Sequence, residues 1–114
     1  MRSADDPEDA LSSVLAGLAV SARQANLARA EVIGEALTAL AEGELGEGRR
    51  MAARDAAHQV VGSAGTFGAH RASELAGSLE SYLSGDLAPA GLEHAQAELE
   101  ELRRELRADH QVEE

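Results

Sequence analysis

A chain of 114 residues with 21 acidic and 10 basic side chains carries a formal charge of −11, which disfavours nucleic acid and anionic membrane surfaces, both recognised mainly through Lys and Arg. It has no cysteine, so disulfides and thiolate metal sites are excluded. The 44% apolar content is mostly Ala, Leu and Val, with one Phe, one Tyr and no Trp, a composition that favours close-packed helices over a sheet, and the expected class is all-α.

Asp6-Pro7-Glu8-Asp9 reads as a helix start, with a capping acid, a proline in the first turn and two more acids at the positive end of the dipole. Leu11, Val14, Leu15 and Leu18, then Val32, Ile33, Ala36, Leu37 and Leu40, recur at three- and four-residue spacing and form a helical stripe. Between Val20 and Arg29 the stripe weakens. Residues 7–42 are therefore one long helix or two, broken near Ser21 to Asn26. Gly43, Gly46 and Gly48 punctuate an acidic loop that ends the segment.

The second helix is predicted over about 47–65. Ala53, Ala56, Val60 and Ala64 gather on one side of it, and His58 projects from the other with Met51, Arg54, Asp55, Val61, Gly62 and Gly65 nearby. Each interior glycine costs a helix about 1 kcal/mol against alanine, so Gly62 and Gly65 point to something that comes close to the surface. A turn at Thr66 to Ala69 follows, with Phe67 expected in the core. Helix three, about 70–84, turns Ala72, Leu75, Ala76, Leu79 and Leu83 inward and stops at Ser84-Gly85. Asp86 or Ala88 is expected to cap the last helix, with Pro89 in its first turn. Its stripe is Leu92, Ala95, Leu99, Leu102 and Leu106. Beyond Arg107 the tail, residues 109–114, is expected to fray.

Short loops between long amphipathic helices imply antiparallel neighbours, hence a single-domain, up-down four-helix bundle over about 7–108. No apolar run reaches membrane-spanning length and no signal peptide follows Met1-Arg2, so a cytoplasmic protein is expected, free-standing and monomeric. His70, His94 and His110 lack any paired ligand spacing, so no metal site is expected.

The run His58-Gln59-Val60-Val61-Gly62-Ser63-Ala64-Gly65-Thr66-Phe67-Gly68, followed by Leu75, Leu79 and Glu80, resembles the histidine-containing phosphotransfer (HPt) domain of bacterial phosphorelays. The likeness is close over about 47–85; the flanking helices agree in length and amphipathicity. It implies that His58 is the phosphoacceptor and that Glu80 hydrogen-bonds its Nδ1, which fixes the tautomer and raises the basicity of the other nitrogen. Gly62 would keep space open for the active site of a receiver domain. The partners implied are a response-regulator receiver, a histidine kinase, or both, and Mg²⁺ is expected on the receiver, with no cofactor on this chain.

One position departs from the family pattern: the Lys often found three residues after the histidine is Val61 here. Arg54 is the first candidate to substitute for that cation, Arg71 a weaker one, and Gln59 offers a neutral donor. Val61 and Met51 read instead as apolar docking contacts. Gly65 and Gly68 serve either the partner or simply the helix end. No P-loop, kinase loop or Ser-His-Asp arrangement is legible, so autonomous catalysis is not expected. The alternative reading is a helical adapter that binds through Met51 and Val61 or through the leucine seam of the last helix. Solvent exposure of His58 and the nearness of Glu80 separate the two.

Overall fold

Four helices run up and down around one core: α1 (Pro7–Ala41), α2 (Glu47–Thr66), α3 (His70–Ser84) and, after a 3-10 turn at Pro89–Gly91, α4 (Leu92–Arg107). The computed structural model describes residues 7–108; Asp6, offered above as a cap, and the tail 109–114 lie outside them. Each helix packs against its two neighbours in the ring, α1 closing it on α4.

The packing follows from small side chains. Ala30, Ala36, Ala53, Ala57, Ala72 and Ala76 are fully buried, and short side chains at a helix crossing let the axes approach closely. Ile33 and Leu37 of α1, Val60 of α2, Leu79 and Leu83 of α3 and Leu102 of α4 fill the centre between them. The leucine seam of α4 is spent here, since Leu99, Leu102 and Leu106 are all buried.

Residues 7–41 form one helix, with no break at Ser21 to Asn26. The apolar stripe is faint there because alanines and Asn26 occupy the inward positions, and Asn26 is nonetheless buried. Only the second half of the stripe enters the core. Ile33, Ala36 and Leu37 are buried, whereas Leu11, Val14, Leu15 and Leu18 are exposed, because α1 has 35 residues against 20 in α2 and outruns the bundle.

Two helix ends are closed by left-handed glycines. Gly43 (φ 74°) lets Glu44 N–H reach Ala39 O at 2.8 Å, and Gly68 (φ 83°) lets Ala69 N–H reach Ala64 O at 2.8 Å, the six-to-one bond of a Schellman cap. Gly85 does not act this way, since its φ of −91° is ordinary; the left-handed residue in that connection is Leu87, at φ 56°. Asp86 caps nothing, and Pro89 opens the 3-10 turn rather than α4 itself. Phe67 is not a core residue. It sits at the end of α2, where the bundle stops, and remains 38% exposed.

Candidate functional site

α2 rotates so that Ala53, Ala56, Ala57, Val60 and Ala64 face inward, and His58, on the opposite side, is left with 74% of its side chain exposed. On α3 the inward Leu79 and Leu83 place Glu80 at the margin of the buried face, half-covered and directed at α2. Its Oε2 lies 3.0 Å from His58 Nδ1. An ionised carboxylate only accepts, so Nδ1 carries the proton and donates, and the Nε2 lone pair is left facing solvent.

The surface around the imidazole is small. At Gly62, one turn on, a Cβ would meet no heavy atom within 4 Å, so the space above it is open. Thr66 Oγ1 donates to Gly62 O at 2.8 Å, and Ser73 Oγ donates across from α3 to Val61 O at 2.9 Å. At Gly65 a Cβ would touch Ser73 Oγ at 3.5 Å, so that glycine borders α3 rather than open water. Met51 is 41% exposed and Gln59 is exposed, whereas Val61 is half-buried against the core.

Neither proposed substitute for the missing lysine is directed at the imidazole. Arg54 Nη2 pairs with Asp55 Oδ1 at 3.3 Å. Arg71 forms a two-pronged bond to Glu101 at 2.9 and 3.0 Å and a further one to Glu74 at 3.3 Å, tying α3 to α4. Hydrogen bonding to Arg71 holds the Glu101 carboxyl below the ordinary glutamate value, and the guanidinium holds its own proton more tightly in return.

One contact behind the site escaped the sequence reading. Asn26, 2% exposed, donates from Nδ2 to Ser63 Oγ at 3.2 Å and accepts from Arg29 Nη1 at 2.8 Å. It thereby ties α1 to the Gly62-Ser63 step of α2. A signal was present: Asn26, Ala30, Ile33 and Leu37 share a four-three-four spacing that puts an amide on the buried stripe.

A groove of about 520 Å³ runs between α1 and α4 along Glu31, Thr38, Gln96 and Arg103, away from His58. Among the described residues no cluster of three or more His, Asp or Glu is placed to hold a metal ion, and no helix is long and apolar enough to cross a membrane. No curated protein and no solved structure gives a significant match to the chain. The family model of the Hpt domain, a phosphocarrier module that works with receiver domains and histidine kinases, matches residues 21–111. A helical bundle matched over most of its length by that model belongs to the Hpt domain family, which implies histidine phosphotransfer in phosphorelay signalling.

Proposed function

We propose that this chain is the phosphohistidine intermediate of a two-component phosphorelay, taking a phosphoryl group on His58 from a receiver aspartate or a histidine kinase and passing it to a receiver. The observation that carries the reading is the exposed imidazole with Glu80 on its Nδ1 at 3.0 Å. In the forward step Nε2 attacks phosphorus, the new N–P bond forms as the bond to the aspartyl oxygen breaks, and the aspartate leaves as a carboxylate. The Nδ1 proton stays in place. The ring becomes cationic as it accepts the phosphoryl group, and the Glu80 carboxylate faces the nitrogen that keeps its proton.

The reverse step uses the same geometry, so the carrier runs in either direction according to its partner. Gly62, with open space above it, gives the receiver's active site room to approach, and Met51 and Gln59 offer an apolar and a polar contact beside it. Mg²⁺ belongs to the receiver in this reading, and the carrier binds no cofactor. Arg54, one turn before His58, can turn from Asp55 toward the incoming phosphoryl group.

Incubation with a phosphorylated receiver or kinase should leave an acid-labile, alkali-stable label on the wild type. His58→Gln should take none. Label on that variant at the wild-type level would exclude His58 as the carrier and place the acceptor on another residue; a wild type that takes no label would favour the adapter reading.

A further inference from the structure

α1 continues past the end of the bundle. Its buried residues begin at Ala19, and the three turns before that hold Leu11, Val14, Leu15 and Leu18 at 58, 57, 51 and 51% exposure. At 100° per residue these four lie within roughly 100° of one another, on the face that Ala22, Asn26 and Ile33 continue into the core. A helical segment of about twelve residues is marginal alone in water, and this one turns its apolar side to solvent. It also precedes residue 21, where the Hpt match begins.

We propose that this face is covered by the same face of a second copy of the chain, the two overhangs packing antiparallel about a twofold axis between Val14 and Leu15. The apolar pattern is symmetric about that point. Leu11 then opposes Leu18 of the second copy and Val14 opposes its Leu15, and each contact occurs twice, as an isologous interface requires. A parallel pair would set the acidic tips, Glu8 and Asp9, side by side and bring together two bundles of a chain whose net charge is −11. The antiparallel pair sends the bundles to opposite ends.

Two overhangs about 18 Å long fall short of the roughly 1,200 Å² that a specific interface buries. The bundle end supplies the rest. At the base of the overhang, exposed Phe67 borders a groove whose apolar walls are Ala19, Ala22, Ala69 and Leu106. In this register Pro7 of the second copy lies level with Ala22, so each tip seats against the other bundle. His58 is nine residues from Phe67, about 13 Å along α2, and the pairing leaves it free. The proposal therefore stands apart from the phosphotransfer reading.

Sedimentation of the whole chain over a wide concentration range should give a mass that rises from 11.9 kDa toward twice that value. Added salt should tighten the association by screening two acidic chains from each other. Leu15→Glu combined with Leu18→Glu should weaken it by about a hundredfold or more and, compared with a wild type dilute enough to be single-chain, leave the melting temperature of the bundle little changed, since neither residue touches the core.

The chain has no cysteine, which allows the register to be read by oxidation. Leu15→Cys should cross-link with itself, and Leu11→Cys should cross-link with Leu18→Cys. Leu18→Cys alone should not, because its two copies stand about 10 Å apart along the axis. A single-chain mass at every concentration, with the face left to some other protein, overturns the proposal. So does a double-glutamate variant that still pairs, or Leu18→Cys cross-linking as readily as Leu15→Cys, which would mean a parallel arrangement.

Discussion

Glu80 reaches His58 from the neighbouring helix, its Oε2 3.0 Å from Nδ1, while 74% of the imidazole remains exposed. The ring is thus oriented on one nitrogen and open on the other, and the chemistry expected of it can be dissected one residue at a time.

Glu80→Ala removes the acceptor that holds the tautomer. A hydrogen bond of this kind is worth about 1 kcal/mol net, so phosphotransfer should slow by roughly fivefold, with the melting temperature within a few degrees of wild type. Glu80→Gln, which keeps an acceptor oxygen, should recover part of the rate. Transfer from a phosphorylated receiver, followed by single-turnover kinetics, is the measurement; equal rates in all three proteins would reduce Glu80 to a helix-surface acid.

Gly62→Ala separates partner access from folding. The new methyl meets nothing within the free chain, and alanine in place of a helical glycine should stabilise the bundle by up to about 1 kcal/mol. Transfer should nevertheless fall, because the methyl occupies the space the receiver needs. A variant that is both more stable and slower fits; a stabilised variant with full activity would show that the glycine serves no partner.

Asn26 is buried with its amide bonded to Ser63 and Arg29. Asn26→Ala strips the partner from Ser63 and leaves a cavity, a loss of about 1–3 kcal/mol in urea unfolding. Ser63→Ala leaves the Asn26 Nδ2 donor unpaired and should cost a comparable amount. Because both changes break one bond, the double variant should lose less than the two single losses added together. Strict additivity would show that the pair is not coupled.

The Arg71–Glu101 bridge makes a small contribution to stability that acid removes. Bonding to Arg71 lowers the Glu101 value in the folded chain, so the unfolded chain binds a proton there first as pH falls. The stabilising contribution is therefore complete above the ordinary glutamate value and disappears as pH drops through the lowered one. Urea midpoints followed from neutral pH down to about pH 3 should decline less steeply in Glu101→Gln than in the wild type. The difference should be small, because the pair is well exposed and salt screens it.

Much of the site was legible in the chain itself. His58, Gly62 and Glu80 stand in a pattern whose resemblance to phosphotransfer domains implies an exposed ring bonded to the next helix, and helical periodicity alone turns His58 away from Ala53, Ala56, Val60 and Ala64. Asn26 was missed because an amide on a buried stripe is read as a weak point in the helix until its partner on another helix is known. Sequence position alone makes Arg71 a candidate cation for the phosphoryl group, yet it is held by Glu101, thirty residues away in sequence.

Local periodicity by itself determined that this chain makes helices, which face each one turns inward and that His58 lies on an outward face, because those properties depend only on neighbours within a turn or two. Tertiary structure decided how far the bundle extends. The same leucine spacing runs through both halves of α1, but burial requires a helix on the other side, and α2 and α4 end before Leu18 is reached. The same limit left Phe67 at an open end rather than in the core.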